Sequence, residues 1–316
     1  MIVFGPVPSR RLGRSLGINH IPPKICSYSC VYCQLGRACT MQIDRACFHT
    51  SQELRKAVEN KLNDAERRAE PIDYLAFVPD GEPTLDARLG RHIDLLRPLG
   101  IKIAVISNAS LLWKPNVRDD LAKADWVSVK VDAVQQDLWR RIDRPHKALQ
   151  LDTILDGMTR FAAVYNGELT TETMLVRAMN DSPKDLAAVA EFVAELHPTT
   201  AYLSIPTRPP AEAGVQSPDE EAIGRAYQTF REKIDHVQYL IGYEGNAFAF
   251  TGNAESDLLS ITSVHPMRED AVVEFLARAN ADWSLIEQMI EQGTLVPLSH
   301  EGHRFYVRRF ASPPVR

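Results

Sequence analysis

Five cysteines, Cys26, Cys30, Cys33, Cys39 and Cys47, crowd into one short stretch of a 316-residue chain. An odd number of clustered thiols does not suit a disulfide framework and does suit a metal. The first three are spaced C-x3-C-x2-C in CSYSCVYC, a loop short enough to turn three thiolates toward one centre. Soft thiolate donors select zinc, copper(I) or iron–sulfur. A structural zinc site asks for four protein ligands, and the motif itself holds no fourth Cys or His. Three thiolates on a four-iron cube leave one iron without a protein ligand, and an open metal position generally receives a substrate or cofactor.

Polar groups elsewhere have the character of a ligand site. In Asp80-Gly81-Glu82-Pro83-Thr84 the glycine lets a ligand approach the backbone closely, and Glu82 with nearby carbonyls can accept hydrogen bonds from an ammonium group. Asn108, in Ser107-Asn108-Ala109-Ser110, can bond a ribose hydroxyl or a carboxylate. In WVSVKVD, Val127, Val129 and Val131 alternate with Ser128, Lys130 and Asp132, so period two puts the valines on one face and the polar trio on the other. An inward lysine is costly unless paired. The partner of Lys130 is then a ligand carboxylate, Asp132 or Glu82.

The cysteine spacing, with Tyr32 just before the last thiol, resembles the signature of the radical S-adenosylmethionine (SAM) enzymes. That resemblance implies a [4Fe-4S] cluster on Cys26, Cys30 and Cys33, its open iron chelated by the amino and carboxylate groups of SAM. It implies reductive cleavage of SAM to methionine and a 5′-deoxyadenosyl radical that takes hydrogen from a substrate, with electrons from a reductant such as flavodoxin or ferredoxin. Tyr32 would then help seat the adenine, and Gly81, Glu82, Pro83, Thr84, Asn108, Ser128, Lys130 and Asp132 would hold the rest of SAM. The Gly81-Glu82 pair resembles the superfamily's Gly-Gly-Glu element, with Asp80 in place of the first glycine.

Residues 4–13 (FGPVPSRRLG), 30–36 (CVYCQLG) and 205–210 (IPTRPP) resemble, more narrowly, a group of prokaryotic radical SAM proteins related to the wyosine synthases, which modify a guanine in tRNA. Wyosine synthases carry a second cluster on cysteines upstream of the SAM motif, and here no cysteine precedes Cys26. Cys39 and Cys47 are too few for an auxiliary cluster on three thiolates; with His49 they would hold a metal, or else they are spare thiols. The substrate is a tRNA base, a peptide or a small metabolite. Two other readings are a non-enzymatic zinc-binding regulator acting on nucleic acid and a catalytically silent partner subunit that binds SAM without cleaving it.

The elements that must position these residues alternate strand and helix, the pattern of a parallel α/β fold. Strands are expected at 14–20, 74–78, 101–106, 126–132, 169–177 and 201–205. Helices are expected from about 51, at 85–99, 116–123, 135–142 and 149–165, from Ser182-Pro183, and from 217–221. Six such units are too few for a complete eight-fold barrel of ~250 residues and fit a partial (β/α)6 TIM-like barrel, the fold that the resemblance also implies. In such barrels chemistry gathers at the carboxyl ends of the strands, which makes Glu172, Arg177, Thr207 and Arg208 substrate candidates.

We expect a barrel with an N-terminal extension over 1–240, a linker or hairpin over 241–263, and a winged-helix-like domain over 264–316. The last is outlined by helices at 267–279 and 282–292 and strands at 294–298 and 304–309. Net charge is −5, from 36 basic and 41 acidic residues, so nothing global points to nucleic acid. No acidic residue precedes Asp44, and Arg10 and Arg11 in that basic segment are further substrate candidates. Residues 264–316 carry six Arg against seven acids, which favours packing or partner docking over RNA contact. No apolar run approaches the ~18 residues of a membrane span. Pro6 and Pro8 interrupt a start that has no basic segment ahead of its apolar residues, so a cytoplasmic protein is expected.

Overall fold

The computed structural model describes residues 2–241, 248, 250, 252–264 and 266–309. Its centre is a curled eight-stranded sheet, a half barrel. The strands are β1 (Val3–Ser9), β2 (Gly13–Ile18), β3 (Tyr74–Phe77), β4 (Lys102–Ser107), β5 (Trp126–Lys130), β6 (Glu168–Met174), β7 (Thr200–Ser204) and β8 (Val237–Leu240). They lie side by side in chain order. β1 is antiparallel to β2, and every later neighbour pair is parallel. The connecting helices are α1 (Ser51–Arg67), α2 (Leu89–Leu96), α3 (Pro115–Leu121), α4 (Gln136–Ile142), α5 (Leu151–Ala162), α6 (Pro183–Glu195) and α7 (Glu220–Arg231).

Two strands go beyond the sequence expectation. β1 contains Pro6 and Pro8, which cannot donate to a ladder and so mask a strand in the sequence. It forms at the sheet edge, with an irregular register between Phe4 and Val7. β8 is only four residues long, too short for a pattern to register. The helix expected over 85–99 is broken at both ends, starting after a tight turn at Pro83–Leu85 and closing in another at Arg97–Leu99. α6 does open with Ser182 as N-cap, its hydroxyl accepting from the Asp185 amide, and with Pro183 in the first turn.

Period-two alternation divides the strand side chains between two cores. Leu75, Phe77, Val105, Val127 and Val129 pack against the helices, in one cluster with Leu54 and Ile93. Ala76, Ala104, Trp126, Tyr202 and Leu240 turn into the half barrel. Leu12, from the β1–β2 turn, joins that inner cluster and corks the lumen.

The C-terminal elements are α8 (Ala254–Val264), β9 (Met267–Arg268), α9 (Glu269–Ala279), α10 (Ser284–Glu291), β10 (Leu295–His300) and β11 (His303–Arg308), with sheet order β9-β11-β10. Glu301 and Gly302 both take positive φ, the backbone of a tight two-residue hairpin. Phe275, Ile286, Met289 and Tyr306 share one apolar cluster with Phe4 and Val7 of β1, so these elements cover the barrel's edge strand. Leu258 and Ile261 lie in the same cluster, which groups α8, expected as part of a linker, with the elements C-terminal to it. The hairpin tip reaches the loop after β7, with His300 Nε2 3.3 Å from the Pro206 carbonyl and the Ser217 hydroxyl 2.9 Å from Glu301. The segment 241–253, read from sequence as a lid or hairpin, lies mostly outside the described residues. Among the described residues no helix is long and apolar enough to cross a membrane.

Trp126 is the largest side chain of the lumen floor and is almost fully buried. Trp126→Ala should cost about 3–5 kcal/mol through the cavity it leaves, read as a fall in the urea midpoint at unchanged slope; a loss under ~1 kcal/mol would mean that the floor is not packed.

Candidate cofactor cavity

A cavity of about 320 Å³ opens above that floor, at the carboxyl ends of the parallel strands. All three motif cysteines line it, and so do Tyr32, Gly81, Glu82, Asn108 and Lys130. Of the substrate candidates, Arg10, Arg11, Glu172, Thr207 and Arg208 also line it. Pro83 and Thr84 lie buried in the turn behind Glu82. Ser128 is buried in β5 beneath the cavity, its hydroxyl without a partner among the described residues. Asp132 faces a small neighbouring cavity. Arg177 is exposed and outside the lining, because the chain has already turned away from β6 there.

The cysteine loop has almost no secondary structure of its own. Ile25–Cys26 pairs with Thr40–Met41, and the amides of Cys33 and Gly36 close successive turns onto the carbonyls of Cys30 and Cys33. Ser29 and Val31 are tied to the end of α4 through the Asp143 and Ile142 carbonyls. The Asn108 side-chain amide points an N–H at Cys26 Sγ, 3.6 Å away, and the Cys30 thiol donates to Asp143 at 3.4 Å. Burial pushes the Cys26 thiol up to about 12, with Glu82 adding to it, and holds Cys30 well above the usual thiol range. Three half-buried thiols lining one cavity, all of them raised by desolvation, need a cationic centre before they can be thiolates, and an N–H aimed at sulfur is the kind of donor that supports a ligated one. This donor set fits an iron–sulfur cluster. Cys39 and Cys47 are exposed; among the described residues no three His, Cys, Asp or Glu, the motif cysteines included, are grouped to hold a single ion.

The loop from Asp80 to Thr84 is laced to the cysteine loop from below. Lys24 N–H donates to the Asp80 carbonyl at 2.7 Å, and Glu82 N–H to the Ile25 carbonyl at 3.2 Å. A Cβ on Gly81 would fall 1.9 Å from that same Ile25 oxygen. The Glu82 carboxylate, 1% exposed, accepts from the Thr84 amide (3.0 Å), the Thr84 hydroxyl (2.6 Å), the Ser107 hydroxyl (2.7 Å) and the Asn108 amide (2.8 Å). It therefore ties the end of β3 to the end of β4.

Across the cavity runs a row of charge. Glu172 on β6 accepts from Lys130 Nζ (3.1 Å), from the Ser204 hydroxyl (3.0 Å) and from the Arg11 guanidinium. Lys130 Nζ also sits 4.9 Å from the centre of the Tyr32 ring, whose hydroxyl donates to Asp132. Burial alone would lower Lys130, but Asp132 and Glu172 outweigh it and hold the ammonium well above its ordinary value. Burial would likewise raise Glu172; Lys130 and Arg11 outweigh it and hold the carboxyl well below its usual range. The protein partner of Lys130 is thus Glu172, which sequence reasoning took as a substrate candidate or a member of a structural salt bridge without naming its partner. Sequence reasoning also missed Ser204 and Asn19; period two along β7 could have pointed to Ser204, whereas nothing marks Asn19.

A family model described as the Radical SAM superfamily matches residues 21–193. A UPF0026 protein of Methanocaldococcus jannaschii is 46% identical over 313 residues, covering 98% of this chain and 97% of that protein. Among solved structures, a radical SAM methyltransferase from Sphaerobacter thermophilus superposes with a TM-score of 0.54 at 18% identity, over 72% of this chain and 66% of that one. TYW1 with a lysine-pyruvate adduct bound superposes at 0.51 with 16% identity, over 70% of this chain and 74% of that one. At these identities the two structures speak for the fold.

Gly81→Ala should push the Ile25 carbonyl, and with it Cys26, out of place. Anaerobically reconstituted protein should then carry clearly less iron than wild type while far-UV circular dichroism stays unchanged; full iron content would show that the contact is not needed.

Proposed function

The chain belongs to the radical SAM superfamily and is an enzyme of that kind, and from this premise we propose that Cys26, Cys30 and Cys33 hold a [4Fe-4S] cluster with SAM beside it in the cavity. The proposal is carried by one meeting: three motif thiols and the Gly81-Glu82 loop, distant in sequence, line one cavity. When loaded, such a site supplies one-electron reductive cleavage of SAM to methionine and a 5′-deoxyadenosyl radical, which takes hydrogen from a substrate. Enzymes of this superfamily need an external reductant, and we assign that part to a flavodoxin or ferredoxin.

The chain's own residues bind, orient and exclude water. Asn108 supports Cys26 through its N–H. Tyr32, anchored by Asp132, offers its ring as a wall for the adenine. Lys130, kept as an ammonium by Asp132 and Glu172, acts as a cation toward a carboxylate and not as a nucleophile. The cork formed by Leu12 and Trp126 keeps water from entering from below. Arg11, Glu172, Thr207 and Arg208 form the substrate side.

For the substrate we take a tRNA base, supported by the shared fold with TYW1. The order helix, strand, two helices and hairpin in the C-terminal elements supports reading them as a winged helix. The residues α10 exposes, Ser284, Glu287, Gln288 and Glu291, are neutral or acidic, so this module supports the barrel edge and does not grip nucleic acid.

Reconstituted protein should be brown, hold about four irons per chain, and release 5′-deoxyadenosine from SAM with dithionite, whereas Cys30→Ala should lose the iron and stay folded. A colourless protein with one zinc would favour the regulator. Total tRNA treated anaerobically with the enzyme should gain a modified guanine by nucleoside mass spectrometry; an unchanged profile would remove tRNA.

A further inference from the structure

Residues 140–147 (RRIDRPHK) carry Arg140, Arg141, Arg144 and Lys147, all exposed, and a single acid, Asp143, which is buried. The segment leaves the end of α4 and runs along the outside of the cysteine loop. The amides of Ser29 and Val31 donate to the carbonyls of Asp143 and Ile142 at 3.1 and 2.9 Å, and the His146 amide donates to the Ser27 carbonyl at 2.8 Å. Tyr28 pairs with Pro145 in the same seam. Asp143 turns inward and accepts from the Cys30 thiol at 3.4 Å. The basic side chains therefore stand one segment of backbone away from a motif cysteine. Arg37, from the cysteine loop itself, joins them, because it and Arg144 both bind Glu212, at 2.7 and 2.5 Å. Two guanidiniums on one carboxylate leave positive charge in surplus. The exposed acid of α4, Asp137, lies in its first turn, away from the seam.

Arg37, Arg140, Arg141, Arg144 and Lys147 are not among the residues that line the cavity, so they are not placed to hold what enters it. What their position offers is nearness to Cys30 for something that stays outside. Electron transfer weakens steeply with distance, so an electron carrier seated here gains from that nearness. A run of phosphates gains nothing from it, and the cavity has arginines of its own in Arg10, Arg11 and Arg208. Charge complementarity asks for an acidic partner. We propose that this face is the docking surface for a small acidic one-electron carrier protein of the flavodoxin or ferredoxin kind. The assignment rests on the radical SAM reading and adds to it the place where the reductant lands. In the step it serves, the carrier loses one electron, the cluster on the three cysteines gains it, and no bond forms or breaks. Redox encounters bury little surface and are steered by charge, which suits a patch of exposed long cations.

The test compares wild type with the double charge reversal Arg141→Glu, Lys147→Glu, using flavodoxin as the probe. Calorimetry measures flavodoxin binding, and stopped-flow absorbance of the reconstituted protein measures reduction by flavodoxin and, separately, by dithionite. At low ionic strength the reversal should weaken flavodoxin binding and slow reduction by flavodoxin about tenfold or more. The difference should close in high salt, where exposed charges are screened. Reduction by dithionite should not change. Should the double variant fold poorly, Arg37→Glu, at a side chain 69% exposed, gives the same comparison. Flavodoxin binding equal in wild type and variants overturns the assignment. So does a reversal that abolishes tRNA retention on a filter while flavodoxin-driven reduction is unaffected, since the face would then be an RNA contact. A wild type that takes up no iron, or that dithionite cannot bleach, overturns instead the radical SAM reading beneath it.

Discussion

The Ile25 carbonyl is the point on which the cavity turns. It accepts from Glu82 N–H and occupies the space that any side chain at position 81 would need. The cysteine loop is nearly without regular structure, so its shape has to be imposed from outside. That shape comes from backbone contacts to the ends of strands, which the sheet holds rigidly. A loop positioned by a rigid scaffold is the usual carrier of function, and here the scaffold reaches the loop through one carbonyl and one missing Cβ.

The rest of the wall is governed by the cost of burying charge. Lys130 and Glu172 face each other in register across β5 and β6; Asp132 and Glu172 together keep the lysine charged, and Lys130 and Arg11 together keep the carboxylate charged. Arg11 adds a second cation to the same carboxylate and, with Leu12, brings the β1–β2 turn up into the lumen. The floor of the cavity and its electrostatics are thus set by one turn near the start of the chain.

Part of this could be read without coordinates. The cysteine spacing and the period-two polar face of β5 are local patterns; the first put all three thiols in one cavity, and the second put Lys130 there with them. Ser182 and Pro183 opened a helix as cap chemistry requires. What escaped was non-local or disguised. Arg11 meets Glu172 across 161 positions and Asn19 meets Asp80 across 61, separations at which no spacing rule operates. β1 was hidden by its prolines. Glu82 was recognised as important for a ligand, but its four protein donors come from residues whose approach only the fold determines.

The cover over β1 has a bearing on biosynthesis. Phe4 and Val7 are made long before Phe275, Met289 and Tyr306, with which they pack. Until those arrive, an early strand presents an oily flank and an open ladder edge to water or to a chaperone. The flank of this strand is therefore covered only by residues made much later, and whatever delays their synthesis prolongs the interval in which neighbouring nascent copies can stick to one another.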